Sequence, residues 1–557
     1  MLTGSLLRAS LIGALITAAL LAQAVLITRL NVNWDEYWFL GRIYAANAGI
    51  LKEPLQNFHV HLLAWVPGIP LGPVDQVIVG RMFMLACELV SLIALYLICR
   101  RFSDRQSALM VVVLWFGSTF SIAYGASFRT DPLAAALLMT ALAMLLFARH
   151  RWQEVLAGSC AALALLVTIK SAIFLPAFLG VFALHWRHEG FRAACLRFAV
   201  AGTALLVVGG ALWLWHSGEL LSATTARHAT TASLALSHGA DETGRAAQKV
   251  IVEQGWFPRW RYILAWMLGG IVTALAIAFG AFLALRDLSQ ARRQDAAILA
   301  IGCLLPAVSL ALYRNAYPYF FPFLMLPAVA GALPAMQWLA ARRRLLRELL
   351  LVGIAGSIAI QIAAYWPRDQ VAQRAYTEQA IRLFPEPVPY IERSAMLPMF
   401  RKSGFLMSTW GIEGSHDNQQ APLVAAIGRD APPLLLVSSP ALRKALYPAS
   451  AYSGPRLRRE DEEILRSNYI QHWGDLWVAG KRIDSKSGQF QIVIPGVYTL
   501  ECHGDRSVDS RSLGCGESLF LQKGEHRWSG GSAVLRWGKN LPTPPGPPPE
   551  GPIYYRF

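Results

Sequence analysis

Long apolar runs, separated by short polar breaks, fill the first two thirds of the 557-residue chain and stop after residue 366. A bilayer core of about 30 Å takes roughly 20 apolar helical residues to cross. On that criterion the pattern predicts eleven spans, at about 6–28, 77–99, 107–124, 132–148, 154–170, 171–186, 198–215, 262–285, 296–313, 319–340 and 348–366. The fifth and sixth meet at Thr168-Ile169-Lys170-Ser171 with almost no break. Beyond 366 the pattern changes. Residues 369–384 read as an amphipathic helix ended by Pro385-Glu386-Pro387. Pro432-Pro433 then introduces the apolar strand 434–437, and shorter strand signals follow at 490–494, 497–501, 518–522 and 533–537, punctuated by Gly and Pro. A Pro-rich stretch, 541–552, reads as an extended tail. The expected fold is a mainly α polytopic membrane protein with about eleven transmembrane helices, residues 1–366. A C-terminal extracytoplasmic α+β domain, residues 367–557, follows with a small β-sheet or sandwich.

Composition agrees, at 55% hydrophobic and only 15% charged residues. The net charge of +16 is unevenly spread. Arg8 precedes the first span. Every second connection then carries arginines: Arg100, Arg101 and Arg105; Arg149 and Arg151; Arg187, Arg192 and Arg197; Arg286, Arg292 and Arg293; Arg342, Arg343, Arg344 and Arg347. The alternate connections are far less basic, which places the N-terminus in the cytoplasm and the C-terminus outside. These anchors account for the basic balance, and no basic stripe with interleaved aromatics points to nucleic acid. Ala22-Gln23-Ala24 has the form of a signal-peptide cleavage site, but cutting there would detach the helix that leads into the most chemically suggestive segment. Five cysteines lie in or beside spans, whereas Cys502 and Cys515 fall in the outer region, where a disulfide between them would close a short loop.

That segment is Asn33-Trp34-Asp35-Glu36-Tyr37, an acidic pair directly after the first span. An acidic side chain at the middle of a membrane helix costs roughly 2.5–3.5 kcal/mol; at the interface it faces water and lipid headgroup together. Interface solvation would explain one such pair. A second acid, Asp131 in Ser127-Phe128-Arg129-Thr130-Asp131-Pro132, falls in a short connection at the same surface, where helix capping is the plain account. Three cations share that surface against the charge bias: Arg129, Lys170, and Arg314 of Arg314-Asn315-Ala316-Tyr317-Pro318-Tyr319. Each alone could snorkel. Together, acids and bases at one surface suit an anionic, phosphate-linked substrate and a carboxylate-assisted reaction. The outer segment 30–76 adds His59 and His61, on one face if extended, as hydrogen-bond partners of a sugar or as metal ligands with Asp35 and Glu36. Residues 216–260 are long for a connector and are a candidate lid. Trp473, Trp477, Trp528 and Trp537 read first as core residues of the outer domain and second as sugar-stacking platforms.

The order of these features resembles the type C glycosyltransferase superfamily: a first span, an Asp-Glu pair, a His- and Pro-containing outer segment, an Arg-Thr-Asp-Pro turn and a later Arg-Asn-x-Tyr-Pro-Tyr. Within it the chain, over roughly residues 1–366, is similar to dolichyl-phosphate-mannose protein mannosyltransferases and bacterial lipid A aminoarabinose transferases. The resemblance implies transfer of a sugar from a polyprenyl-phosphate donor to an extracytoplasmic glycan, lipid or protein acceptor, at a bacterial-type inner membrane. It implies Asp35 as the catalytic base, Glu36 positioning the acceptor and Asp131 as the second catalytic acid. Lys170, Arg314 and Arg129 would contact the donor phosphate, and His59, His61 and Tyr317 the acceptor. A divalent metal is left open and is not required by a single displacement. The competing readings are a polyprenyl-lipid flippase or transporter, which the clustering at one surface rather than the midplane disfavours, and a non-catalytic glycan-binding scaffold.

Overall fold

The computed structural model describes residues 2–222, 256–290, 293–342, 344–450, 452–484, 488–502 and 506–555. Most of the candidate lid, residues 223–255, and the anchors Arg292 and Arg343 lie outside the described residues.

Ten helices carry the chain to residue 222: α1 (Leu2–Arg29), α2 (Trp34–Asn47), α3 (His59–Leu62), α4 (Pro73–Arg100), α5 (Arg105–Phe116), α6 (Ser121–Tyr124), α7 (Thr130–Leu146), α8 (Arg151–Val167), α9 (Leu175–Glu189) and α10 (Phe191–Ser222). Helices Trp260–Gly269, Ile271–Asp287, Gln294–Leu304, Phe320–Ala328, Leu333–Arg342 and Arg344–Tyr365 complete the bundle. Each expected span falls on a helix or a helix pair. Among the described residues, seven are long and apolar enough to cross a membrane, and an eighth is the pair Trp260–Gly269 and Ile271–Asp287, bent by 97°. The other three expected spans fall on α5, α7 and α8, with 12, 17 and 17 residues. The segment expected at 107–124 is interrupted because α5 ends at Phe116 and the chain turns through Phe120, whose φ of 78° no helix continues, before α6 begins.

Small residues let the helices close on one another, the usual basis of packing inside a bilayer. A Cβ on Gly158 of α8 would lie 2.1 Å from the Ala201 carbonyl oxygen of α10. Gly80 of α4 leaves room for the Phe128 ring, which a Cβ would meet at 2.2 Å. That second contact seats the turn before α7 against α4.

After residue 366 the chain is mixed α and β. Helix Val371–Leu383 is tied to the end of α1: Asn31 N–H donates to the Arg368 carbonyl at 2.8 Å, and the Gln373 amide exchanges two 2.7 Å bonds with the Val32 backbone. Arg374 makes a bidentate bridge to Asp75 at the start of α4. The strands are β1 (Tyr390–Ile391), β2 (Lys402–Ser403), β3 (Leu434–Leu436), β4 (Tyr469–Trp473), β5 (Leu476–Ile483), β6 (Gln489–Ile492), β7 (Gly496–Glu501), β8 (Arg506–Val508), β9 (Arg511–Leu513), β10 (Ser518–Leu521), β11 (Gly524–Ser529) and β12 (Ala533–Trp537). An eight-stranded sheet runs β10-β7-β12-β5-β3-β1-β2, with β4 also paired to β5. A four-stranded sheet runs β6-β11-β8-β9. The strands expected from 434, 490, 497, 518 and 533 correspond to β3, β6, β7, β10 and β12. The remaining strands were not expected, among them β5, which joins the parallel trio β1–β3 to the antiparallel half. Trp473, Trp477 and Trp528 are buried in the core. Cys502 and Cys515 form a disulfide. The Pro-rich tail packs back on β4, where Trp473 Nε1–H donates to the Gly546 carbonyl at 3.1 Å, and this return delivers Tyr554 to the junction with the membrane helices.

Candidate active site

The two acids of the first outer segment diverge within one turn of α2. Asn33 caps the helix by accepting the Asp35 N–H at 3.0 Å, and Glu36 returns a carboxylate oxygen to the Asn33 N–H at 2.9 Å, a reciprocal capping box. The same oxygen of Glu36 accepts Arg81 Nη2–H at 2.5 Å, while the other accepts Arg81 Nε–H and the Phe128 N–H, both at 2.8 Å. Arg81 spends its remaining reach on the carbonyls of Ile27, Leu30 and Asn31, at 2.7–2.9 Å. Burial pushes the Glu36 carboxyl up, and the Arg81 guanidinium with these hydrogen bonds outweighs it, holding the group below the usual carboxylate range. The expected role of Glu36 at the acceptor is therefore corrected. Its oxygens are fully engaged, and it staples the end of α1, the start of α2, α4 and the turn before α7.

Asp35 points elsewhere. It pairs with Arg129 Nη1, Arg129 Nε lies 3.3 Å from Asp131, and Asp131 pairs in turn with Lys170. Three separated stretches of sequence thus meet in one chain of alternating charge. Arg129 sits over the Tyr319 ring, 3.5 Å from its centroid. Asp131 is not the cap of α7: Arg129 holds the cap position, and Asp131 lies in the first turn, facing its two cations. Arg129, expected at the donor phosphate, meets both carboxylates here. Buried and flanked by two carboxylates and Tyr319, it positions Asp35 and Asp131.

A cleft of about 610 Å³ lies between the helix ends and the C-terminal region. Trp34, Asp35, Tyr317 and Tyr319 line it from one side, and Arg393, Ser408, Tyr452 and Tyr554 from the other. Arg129, Asp131 and Lys170 stand behind Asp35 and are not among its lining residues. Arg314 lies 3.6 Å from Glu413 of the C-terminal region. Arg259 donates to the Arg314 carbonyl at 3.0 Å and to the Tyr317 hydroxyl at 2.7 Å, fixing that rim of the cleft.

The histidines do not join the cleft. The segment is the short helix α3, not an extended strand, so His59 and His61 point apart. His59 is buried edge-on against Phe39, 5.1 Å between ring centres. Burial and the Arg42 charge push its imidazole down to about 3. His61 Nε2 lies 2.7 Å from His216 Nδ1, and its ring packs 4.3 Å from Trp215, both on α10. The metal set Asp35, Glu36 and His59 does not fit together, because Glu36 is saturated by Arg81 and His59 faces Phe39. No group of three or more His, Cys, Asp or Glu suited to a metal occurs among the described residues. Sequence reading missed Arg259, Arg393, Ser408, Tyr452 and Tyr554. Tyr319 lay in the quoted Tyr-Pro-Tyr motif, but nothing local marked the others.

Residues 74–215 match the family described as dolichyl-phosphate-mannose-protein mannosyltransferase. No curated protein sequence matches the chain. Among solved structures, the chain is similar to ArnT from Cupriavidus metallidurans bound to undecaprenyl phosphate, at 15% identity and a TM-score of 0.55, over 80% of this chain and 97% of that one. It also matches the Archaeoglobus fulgidus oligosaccharyltransferase in the apo form, at 11% identity and a TM-score of 0.44, over 68% of this chain and 62% of that one. Arabinosyltransferase EmbB from Mycobacterium smegmatis matches at 12% identity and a TM-score of 0.39, over 67% and 41%. The likeness to ArnT is one of fold: the chain is a multi-pass membrane protein that shares the fold of ArnT and has a β-rich C-terminal region.

Proposed function

We propose that the protein is an integral-membrane glycosyltransferase that moves a sugar from a polyprenyl-phosphate donor to an acceptor hydroxyl, with inversion and with Asp35 as general base. The single observation that carries this reading is Asp35 opening onto the cleft while Arg129, Asp131 and Lys170 hold it from behind. The fold shared with ArnT, whose structure holds undecaprenyl phosphate, supports the donor class. In this reading residues 1–366 form the catalytic unit, 367–557 the accessory domain, and the arginine-rich connections keep the cleft outside the cytoplasm.

The acceptor hydroxyl donates a hydrogen bond to the Asp35 carboxylate and attacks the anomeric carbon from the side opposite the phosphate. The new C–O bond forms as the bond to phosphate breaks, the bonding pair leaves on the phosphate oxygen, and the proton passes to Asp35. A phosphate leaving group needs no general acid. Charge grows on the departing phosphate just as it disappears from Asp35, so Arg129 is freed from part of its pairing when the phosphate needs a counter-charge. Lys170 and Arg314 add to that stabilisation. A positioned base contributes about 10²–10⁴-fold. Asp35→Asn should therefore lower transfer from a polyprenyl-phosphate sugar by about that factor, with the thermal midpoint retained. Turnover near the wild-type rate would end the assignment.

A further inference from the structure

Among the described residues, Arg393 lines the cleft without a carboxylate partner. Arg129, Arg314 and Arg374 each meet a carboxylate. Arg393 meets none within ion-pair distance among the described residues, and its Nε is buried without a hydrogen-bond partner there. Its placement is nonetheless built. The Arg393 N–H donates to Ser438 Oγ at 3.3 Å, its carbonyl accepts the Met407 N–H at 3.0 Å, and the next residue, Ser394, donates from its hydroxyl to the Trp34 carbonyl at 2.5 Å. The guanidinium lies over the Trp34 ring, 4.0 Å from its centroid. Glu392, the neighbouring acid, is not available to it: one carboxylate oxygen accepts from Ser438 Oγ and the Tyr554 hydroxyl, the other from the Ser394 and Met396 N–H groups.

A guanidinium seated over an indole gains cation–π attraction without using its N–H donors, and its donor fork matches the paired oxygens of a carboxylate or phosphate. Arg393 and Asp35 line the same cleft, together with Ser408 and Tyr452. We infer that Arg393 is an oxyanion-binding residue, supplied by the C-terminal region, that selects an acceptor carrying a carboxylate or phosphate near the hydroxyl it presents to Asp35. The inference rests on the reading of the cleft as a glycosyl-transfer site, and it names the chemical class of acceptor which that reading leaves open.

Binding of small probes to the full-length protein in lipid nanodiscs tests it without requiring turnover. Inorganic phosphate and glucuronate represent the two sources of the oxyanion, glucose is the neutral control, and undecaprenyl phosphate reports the donor site. Arg393→Gln should raise the Kd of at least one anion by about tenfold, Arg393→Lys should recover most of that loss, and neither should alter glucose or undecaprenyl phosphate binding. The anion that responds identifies the acceptor group. Ser408→Asp keeps the cap of helix Thr409–Asp417 while placing a carboxylate in the cleft, and should weaken anion binding even if Arg393→Gln fails to fold. Anion affinities unchanged in the folded variants would overturn the inference. So would a loss confined to undecaprenyl phosphate, which would assign Arg393 to the donor. Asp35→Asn should still bind the anions, so failure of the base and failure of the anion site are separable.

Discussion

At Glu36 a carboxylate meets Arg81 through both oxygens, and every remaining hydrogen-bonding direction of the pair is filled by backbone. One residue earlier, Asp35 meets Arg129 through a single nitrogen and keeps a side towards the cleft. The side chain of Glu36 is 2% exposed and that of Asp35 20%. The closed pair can only hold the architecture together, because substrate has no lone pair or N–H left to address. The open pair is held from behind and leaves one side of Asp35 towards the cleft. Adjacent acids with the same intrinsic chemistry thus divide into a closed pair and an open one according to what packs around them.

The sharpest way to break this comparison is to remove one partner from each pair. Arg81→Met or Glu36→Gln strands a buried partner and should cost about 3–5 kcal/mol of stability, read as a fall in thermal midpoint of the detergent-solubilised protein. Asp35→Asn, at a partly exposed pair, should cost no more than about 1 kcal/mol. Equal losses at the two sites would show that Asp35 is scaffold too. Next in size is Lys170→Gln, which removes a cation from the open chain. Loss of about 10²-fold in kcat is expected, with Lys170→Arg retaining more activity. A kcat within about twofold of wild type would take Lys170 out of the chemistry.

Acid should act first on the scaffold. His59 has its pKa lowered from 6.5 to about 3 in the folded protein, so the unfolded chain binds more protons between those values and stability falls as pH drops through that window. The slope is at most about 1.4 kcal/mol per pH unit for one proton. Glu36, held below the usual carboxylate range, contributes stability that is present above its unfolded value of 4.5 and lost as pH falls through its folded value. His59→Leu should flatten the unfolding profile from pH 6.5 to 4.5 and leave the more acidic limb in place; an unchanged profile would remove His59 from this account. The smallest effect is expected at Tyr319. Tyr319→Leu removes the ring beneath Arg129 and should cost about 0.5–1 kcal/mol, seen as a modest fall in kcat with little change in thermal midpoint. A collapse in stability instead would place Tyr319 with the closed pair.

Much of the bundle was legible because membrane spans announce themselves by composition. A helix that must satisfy its own backbone in hydrocarbon needs an unbroken apolar run, and the arginine anchors repeat at its ends. Strands β3, β6, β7, β10 and β12 were readable for a related reason, as short apolar stretches set off by Gly and Pro. Strand β5 was not, since Gly480, Lys481 and Arg482 interrupt its apolar start and its place at the sheet centre is decided by partners far along the chain. His59 and His61 were misplaced because the period of a strand was read into four residues that form a helical turn.

The sequence alone determined that this is a multi-spanning membrane protein with a mixed C-terminal region, and that acids and bases recur in the short connections between spans. Both follow from local, additive properties: apolar length, charge and turn chemistry. Only the tertiary structure decided which of two neighbouring carboxylates opens onto the cleft. It also decided that Asp131 serves a cation pair rather than a helix cap, and that Arg393 and Tyr554 complete a cleft begun by Trp34 and Asp35. The availability of a charged group depends on every donor within hydrogen-bond reach, and those donors come from stretches of chain far apart in sequence.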